Sequence, residues 1–137
     1  DEMASGPTEF PSIQNVIEHL KKSSPFASED TLARRAKYAT KITDQHTFIW
    51  TYDPAIRDQR KTGSNIKPID LSDSLRTITC PTMIFRGMQS DILSEAVAAE
   101  MVQTMPSSNT VAIDNATHTV FEDNPTDFIK ELLKFLG

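Results

Sequence analysis

Cysteine is almost absent from this chain, because Cys80 is the only one among 137 residues. A single cysteine excludes an internal disulfide framework and any metal site built from several thiolates. The same scarcity fits a reducing compartment, so we expect a cytoplasmic protein. Since the residue before a proline prefers extended backbone, we interpret Cys80 as an unreactive thiol at the start of a strand.

Long apolar runs and clusters of basic residues are also missing. No stretch approaches the ~20 apolar residues that cross a bilayer, and no signal peptide opens the chain, so we expect a soluble protein with no membrane partner. The 14 basic and 19 acidic residues leave a net charge of −5, which disfavours a nucleic acid as partner. The two basic groups, "HLKK" and "ARRAK", are typical of solvated helix faces.

Residues 1–66 have a polar, largely helical pattern. A first helix is predicted after the cap residue Ser12, because "SIQNVIEHLKK" places apolar residues at helical spacing. A second is predicted after Ser28, because "EDTLARRAKYATKI" has acidic residues early and basic residues later. "HTFIWTYDP" can form a short extended piece, whereas "IRDQRKTGSN" has the composition of an exposed connection.

Residues 67–137 alternate between short apolar strands and helices. "DLSDSLRTI" predicts a short helix that Asp70 caps and to which Asp73 can return a hydrogen bond. "CPTMIFRG" and "TVAI" predict buried strands, and "SEAVAAEMVQTM" predicts a helix between them. Asn124 and Pro125 start the last helix. Its predicted buried face consists of Phe128, Ile129, Leu132, Leu133 and Leu136.

The order strand, helix, strand, helix indicates an α/β fold with a parallel sheet. Parallel strands are normally covered on both faces, and two strands of about five residues do not form a stable sheet alone. We therefore expect either a missing N-terminal half or a second chain to complete the sheet. If a second chain completes it, the protein is an oligomer. The strand residues expected to be buried there are Met83, Ile84, Phe85, Val111 and Ile113.

Two polar residues follow the two predicted strands at equivalent points. Asp91 lies in "FRGMQSDILS" after the first strand, and His118 lies in "DNATHTVF" after the second. In an open α/β sheet, chemistry gathers outside the carboxyl ends of the strands. A carboxylate that orients an imidazole makes it an effective general base near neutral pH. We predict that Asp91 and His118 form such a pair, with Asp114 as the rival acid.

The same segments resemble the α/β-hydrolases. From Pro68 to Gly137 the chain looks like the C-terminal third of such an enzyme, with "CPTMIFRGMQSDILSEAVAAEMVQTMP" similar to the acid-bearing strand, loop and helix. "NTVAIDNATHTVFEDNPTDFIKELLKFL" is similar to the last strand, the histidine loop and the terminal helix. The separation of 118 − 91 = 27 residues and the order, acid before histidine, are typical of the family. The family usually has glycine before this histidine, whereas this chain has Thr117.

The resemblance also implies a domain division and an absence. Residues 1–66 resemble a helical cap with its linker, and residues 67–137 resemble the C-terminal part of the catalytic core, a partial core of two parallel strands with flanking helices. The nucleophile elbow, G-x-S-x-G or its Asp counterpart, belongs upstream of the cap and is not found in this sequence. Neither "TGSN" around Ser64 nor "ASGP" around Ser5 has the required glycines and flanking strand and helix.

The resemblance implies hydrolysis of an ester, thioester or related small acyl substrate by a Ser-His-Asp mechanism. The nucleophile would come from outside this chain, and neither a metal nor an organic cofactor is implied. Trp50, Tyr52 and Leu93 are candidates for lining the substrate pocket, although packing of the cap explains the two aromatic residues equally well. Dehalogenase or epoxide hydrolase chemistry with an Asp nucleophile is an alternative. Tyr38 and Tyr52 are the residues that suggest epoxide hydrolysis.

A second hypothesis is a non-catalytic, hydrolase-like module that pairs with another chain or with itself. The absent nucleophile and the short sheet favour it, whereas the retained pair of Asp91 and His118 disfavours it. His19 and His46 have no ligand-type residues at useful spacing, so we interpret both as surface residues and expect no metal site.

Overall fold

The computed structural model describes residues 6–61 and 70–137. The chain divides into two compact units, Asp1–Lys67 and Pro68–Gly137. None of the helices within the described ranges has the length and hydrophobicity needed to span a bilayer.

The first unit packs helices against a small antiparallel sheet. Its elements in chain order are β1 (Glu9–Phe10), α1 (Ile13–Ser23), α2 (Glu29–Ala39), β2 (Thr40–Ile42), β3 (Phe48–Trp50) and α3 (Pro54–Lys61). The strands have the order β1-β3-β2. The core of this unit consists of Phe10, Val16, Leu20, Ala27, Leu32 and Ala36.

Local capping explains where the first two helices begin. The side chain of Ser12 accepts a hydrogen bond from the Asn15 N–H at the start of α1, and that of Ser28 accepts one from the Thr31 N–H at the start of α2. These bonds satisfy N–H groups that have no partner inside the helix. Both helices therefore begin where the sequence predicts.

Three features of the first unit differ from the sequence predictions. The residues expected to form an exposed connection begin as a helix, α3, because Pro54 suits a first helical turn and the Asp53 carboxylate accepts the Ala55 N–H. The remainder of that predicted connection lies outside the described residues. Strands β1 and β2 were not predicted, whereas β3 lies within the predicted extended piece. His19, predicted on the surface, packs among aromatic rings.

The second unit contains a two-stranded parallel sheet with helices around it. Its elements are α4 (Ser72–Arg76), β4 (Thr82–Gly87), α5 (Glu95–Thr104), β5 (Ser108–Ile113), α6 (Val120–Asp123) and α7 (Pro125–Leu136). Strands β4 and β5 pair in register from Thr82 opposite Ser108 to Gly87 opposite Ile113. The parallel βαβ arrangement and the partial α/β core are thus as predicted.

The prediction that Asp70 caps α4 is wrong, because the N-cap residue is Leu71 and no side chain caps the helix. Asp70 lies one residue earlier and bonds to Ser72, the first residue of the helix. One carboxylate oxygen of Asp70 accepts the Ser72 N–H at 2.9 Å and the Ser72 hydroxyl at 2.6 Å. The hydroxyl bond, followed by the backbone bond, lowers the pKa of Asp70 from its ordinary value of 3.8. Asp73 does not return a bond to the cap; it pairs with Arg76 on the same helix.

The apolar surface of the second unit is incompletely covered by this chain. Its core cluster contains Ile113, Ala116 and Val120. The prediction that α7 buries its apolar face is wrong for this chain, because none of its residues is fully buried. Ile129, Leu133 and Leu136 are 50%, 62% and 67% exposed. The strand residues Met83, Ile84, Phe85 and Val111 are half-buried rather than buried, whereas Ile113 is buried.

Candidate active site

Asp91 and His118 both follow the carboxyl ends of paired parallel strands. Strand β4 ends at Gly87 and is followed by the loop that contains Asp91, while β5 ends at Ile113 and is followed by the loop that contains His118. Because Gly87 and Ile113 are opposite each other in the register, the two loops leave the same edge of the sheet. We call these segments the acid loop, residues 88–94, and the histidine loop, residues 114–119.

Hydrogen bonds join the acid loop to the histidine loop directly. The Met88 N–H donates to the carbonyl oxygen of Ile113 at 2.9 Å, and the Gln89 N–H donates to that of Ala116 at 3.0 Å. The Gln89 side-chain oxygen in turn accepts the Ala116 N–H at 3.1 Å. Gln89 therefore satisfies both backbone groups of Ala116, which is fully buried and needs such partners.

Gly87 allows the histidine loop to lie against the end of β4. An added Cβ at this position would stand 1.8 Å from the carbonyl oxygen of Thr117 and 2.4 Å from that of Ala116. These are backbone atoms, so a side chain at position 87 would displace the loop. The glycine is required here for the close approach of two backbones.

Asp123 holds the residue immediately before His118. Its Oδ2 accepts the Thr117 N–H at 2.8 Å and the Thr117 hydroxyl at 2.5 Å. Asp123 is buried, and its second oxygen, Oδ1, has no hydrogen-bond partner within the described structure. A carboxylate that accepts two bonds from one residue fixes the backbone at that residue.

The acid loop is shaped by Ser90. The Ser90 hydroxyl oxygen accepts the N–H groups of Ile92 at 3.3 Å and Leu93 at 3.1 Å, which closes a turn around Asp91. The carbonyl oxygen of Leu93 accepts Nε of Arg86 at 3.0 Å, so the half-buried Leu93 also ties the loop back to β4.

No family model and no curated protein matches the sequence. Among solved structures, E-2-(acetamidomethylene)succinate hydrolase matches 98% of this chain with a TM-score of 0.82 and 25% identity. An α/β-hydrolase from Novosphingobium aromaticivorans matches 93% with a TM-score of 0.68 and 26% identity. A Mycobacterium tuberculosis esterase matches 96% with a TM-score of 0.72 and 24% identity.

The chain adopts part of the α/β-hydrolase fold.

The matches cover only part of each similar protein. The shares are 49% of the succinate-derivative hydrolase, 47% of the Novosphingobium hydrolase and 43% of the mycobacterial esterase. The chain therefore spans about half the length of the hydrolases that it matches, and it is a fragment of the fold.

Within this fragment of the fold, Asp91 and His118 follow the same sheet edge without being hydrogen-bonded to each other. Both side chains are exposed. Of the hydrogen bonds and ion pairs that the structure describes for residues 6–61 and 70–137, none joins the two. Their pairing stays a prediction for the completed fold, in which further strands and loops would surround this edge.

The rival acid, Asp114, begins the histidine loop. Its side chain is exposed, and its carbonyl oxygen accepts Nδ2 of Asn124 at 2.9 Å, which links the end of β5 to the start of α7. Asn115 follows with a φ of 49°, a left-handed conformation that asparagine tolerates better than most residues. This turn separates Asp114 from His118 along the chain.

The predicted pocket residues Trp50 and Tyr52 lie in the first unit and line a common pocket of about 240 Å³. Their rings are stacked, with centroids 6.1 Å apart and planes at 22°. Sequence reasoning missed His19, Arg35 and Arg57, which line the same pocket.

The structure offers no metal centre in the ranges that it describes. Among residues 6–61 and 70–137, no three His, Cys, Asp or Glu side chains come close enough together to hold a metal ion.

Tyr38 is one of the two tyrosines that suggested epoxide hydrolysis. It is 71% exposed, and the Lys37 ammonium lies 5.3 Å from its ring centroid.

Proposed function

We propose that this chain is the C-terminal segment of a serine-type α/β-hydrolase that acts on an ester or a related small acyl substrate. The observation that carries the proposal is the hydrogen-bonded junction of the acid and histidine loops at one edge of the β4-β5 sheet. Residues 1–66 would act as the cap, and residues 67–137 would form the acid and histidine end of the core. The similarity to a succinate-derivative hydrolase and to an esterase supports hydrolysis as the reaction class.

In the proposed mechanism, His118 is the general base and Asp91 orients it. His118 would take the proton of a serine hydroxyl as the oxygen attacks the acyl carbon, and would give that proton to the leaving alcohol or thiol. A water molecule, deprotonated by His118, would then release the acid from the acyl-enzyme. Asp91 would accept a hydrogen bond from the other ring nitrogen and stabilise the imidazolium. The completing half would supply the serine and the oxyanion hole.

The nature of the nucleophile decides which chemistry the same His118 supports. With an Asp nucleophile in the completing half, the base would activate the water that hydrolyses an alkyl-enzyme ester, as dehalogenase or epoxide hydrolase chemistry requires. The fold does not choose among these reactions. An acyl substrate is proposed first because the similar structures include a hydrolase and an esterase by name.

A non-catalytic module is the second candidate function. One observation that favours it is the exposed apolar face of α7, with Leu133 and Leu136 more than half exposed. Another is that no hydrogen bond described for residues 6–61 and 70–137 joins Asp91 to His118. In this role the chain would pair with another chain or with a copy of itself. It would then have no hydrolytic activity in any assembly.

The test is to produce the longer chain that includes the coding sequence upstream of residue 1 and to assay short-chain 4-nitrophenyl esters. We expect turnover with a burst of nitrophenol in the longer chain and none in the 137-residue chain alone. His118→Asn should lower kcat by at least about 10³-fold, whereas the control His46→Asn, at an exposed histidine, should leave it unchanged. Equal activity in the two variants, or burst turnover by the short chain, would refute the proposal.

A further inference from the structure

One residue contacts the chain on both sides of His118. The Asp123 carboxylate accepts the N–H and the hydroxyl of Thr117 at 2.8 Å and 2.5 Å. The backbone N–H of Asp123 donates to the carbonyl oxygen of Thr119 at 3.0 Å. Thr117 and Thr119 are the two chain neighbours of His118, so Asp123 fixes the backbone before and after the histidine. The His118 side chain itself is exposed, at the tip of a turn that Asp123 closes.

The earlier part of the histidine loop is held by other residues. Nδ2 of Asn124 donates to the carbonyl oxygen of Asp114 at 2.9 Å. Gln89 accepts the Ala116 N–H at 3.1 Å through its side chain and donates to the Ala116 carbonyl oxygen at 3.0 Å through its backbone. These bonds fix the loop as far as Ala116. The segment that follows depends instead on Asp123.

Burial strengthens the contact between Asp123 and Thr117. Asp123 is 6% exposed, and its Oδ1 has no hydrogen-bond partner in the described structure. Both donors described for the carboxylate belong to Thr117. Hydrogen bonds to an ionised acceptor are roughly twice as strong as neutral ones, and the low local dielectric of a buried site strengthens them further. The Thr117 hydroxyl is therefore a main determinant of where this carboxylate and the loop meet.

Helix capping does not account for the Asp123 carboxylate. Asp123 is the last residue of α6, and α7 is capped by Asn124, whose side chain accepts the Asp127 N–H. The two described bonds of the carboxylate instead go to Thr117, which lies outside both helices. The side chain thus holds the histidine loop and caps neither helix.

We propose that Asp123 is a positioning residue for His118 and that it acts through the hydroxyl of Thr117. This inference rests on the proposed function, in which His118 is the general base. A general base must lie within about 2.6–3.2 Å of the group whose proton it takes, and a displacement of about 1 Å can cost roughly 10²-fold in rate. Asp123 would not contact the substrate, so its loss should lower kcat and leave KM unchanged.

The test compares two replacements of Thr117 in the longer chain that includes the sequence upstream of residue 1. Thr117→Val keeps the shape and the backbone N–H but removes the hydroxyl, whereas Thr117→Ser keeps the hydroxyl. For a 4-nitrophenyl ester, Thr117→Val should lower kcat at least about tenfold at unchanged KM. Thr117→Ser should stay within about twofold of the parent kcat. Equal kcat in the two variants, or a change in KM alone, would overturn the proposal.

A double-mutant cycle assigns the effect to Asp123. Asp123→Asn, which removes the charge, should lower kcat about as much as Thr117→Val does. In the Asp123→Asn background, Thr117→Val should lower kcat by less than about twofold, because residues that act through one contact are not additive. Circular dichroism checks folding, and Asp123→Asn alone carries the test if Thr117→Val does not fold. Independent, multiplying losses would overturn the assignment.

Ser108→Ala is the control for a general loss of stability. The Ser108 hydroxyl donates to the carbonyl oxygens of Val102 and Met105 at 3.3 Å and 3.0 Å. Ser108 begins β5, at the opposite end of the strand from the histidine loop. Its replacement should lower stability and leave kcat unchanged. A loss of kcat equal to that of Thr117→Val would overturn the positioning role.

A measurement without hydrolysis separates this inference from the proposed function. Nuclear magnetic relaxation of the His118 N–H in the 137-residue chain reports the order of the loop backbone. In Thr117→Val its order parameter should fall from the ~0.85 of rigid backbone towards the ~0.6 of flexible backbone. Thr117→Ser and Ser108→Ala should not change it. An unchanged value in Thr117→Val would overturn the inference, whereas a fall in a protein whose longer chain hydrolyses no ester would refute only the proposed function.

Discussion

Asp123 accepts both the backbone N–H and the hydroxyl of Thr117 through a single carboxylate oxygen, at 2.8 Å and 2.5 Å. Thr117 is the residue immediately before His118, so this contact anchors the histidine loop from within the second unit. The other oxygen of Asp123 is buried without a partner in the described structure. Threonine supplies two donors here, and glycine, which the hydrolase family usually has at this point, would supply only the backbone one.

Replacing Asp123 with alanine should destabilise the fold and loosen the histidine loop. The change removes two hydrogen bonds to a charged acceptor and leaves the Thr117 donors without it, which we expect to cost about 2–3 kcal/mol. Urea denaturation measures the loss. The control is Asp114→Ala, since the exposed side chain of Asp114 makes no such bonds and should change stability by no more than about 0.5 kcal/mol. Equal stability of the two variants would contradict the anchoring role.

Gly87→Ala should be among the most disruptive small substitutions in the second unit. The added methyl group would overlap the carbonyl oxygens of Thr117 and Ala116, which belong to backbone and cannot rotate away. Overpacking of this kind costs about 1–3 kcal/mol and occasionally more, and we expect the upper part of that range. A heteronuclear NMR spectrum should show the largest shifts in residues 114–119. Shifts confined to β4, with unchanged stability, would contradict the close packing.

The starts of α1, α2, α5 and α7 were predictable from the sequence because capping is local. Ser94 accepts the Val97 N–H at the start of α5, and Asn124 accepts the Asp127 N–H at the start of α7. The partners are three residues apart, so the sequence contains the whole interaction. The alternation of strand and helix, and hence the common edge reached by Asp91 and His118, follows from equally local patterns.

Features that depend on distant residues were not predictable. In the sequence, Arg57 is one charged residue in a polar stretch, whereas in the structure it is buried and donates a hydrogen bond to Gly6, 51 residues away. Likewise Trp50 is fixed by Pro7, 43 residues away. Periodicity shows which residues of α7 share a face, but it does not show what covers that face. Neither the pocket of the first unit nor the exposure of Leu133 could be predicted from the sequence; both were found in the structure.

The pKa of Asp70 should rise when Ser72 is replaced by alanine. The Ser72 hydroxyl is the largest cause of the lowered pKa, followed by the Ser72 N–H. A carboxyl with a lowered pKa in the folded state stabilises that state above the ordinary value of 3.8, and the contribution is lost as pH falls through the folded-state pKa. Ser72→Ala should therefore shift the Asp70 titration towards the ordinary value.

An NMR titration that follows the Asp70 carboxyl carbon measures this shift. Ser74→Ala is the matched control, because Ser74 lies on the same helix and its hydroxyl makes no bond to Asp70. We expect the control to titrate like the parent chain. An Asp70 titration that is the same in all three proteins would show that the hydroxyl bond is not formed in solution.

The exposed face of α7 should make the 137-residue chain associate or bind an apolar dye. Ile129 and Leu133 lie one turn apart and are 50% and 62% exposed. Since burial of apolar surface contributes about 25 cal/mol per Å², covering this face is favourable. Leu133→Lys should reduce dye binding and shift sedimentation towards the monomer, whereas Ile42→Lys, at a 65% exposed position in the first unit, should change neither. A parent chain that is monomeric and binds no dye would contradict the prediction.

In the completed protein, Asp91→Asn should reduce kcat far more than Asp114→Asn. Asp91 and His118 follow the carboxyl ends of β4 and β5, whereas Asp114 begins the histidine loop and is separated from His118 by the turn at Asn115. An amide at position 91 could not stabilise the imidazolium that forms during proton transfer. The same replacement in a serine protease triad lowers kcat about 10⁴-fold.

Both replaced residues are exposed, and asparagine has nearly the same shape as aspartate. The thermal midpoints of the two variants should therefore match that of the parent protein. The assay compares kcat for a 4-nitrophenyl ester across the three proteins, with folding checked by circular dichroism. A large loss in Asp114→Asn and none in Asp91→Asn would transfer the orienting role to Asp114. Full activity in both would show that neither carboxylate orients His118.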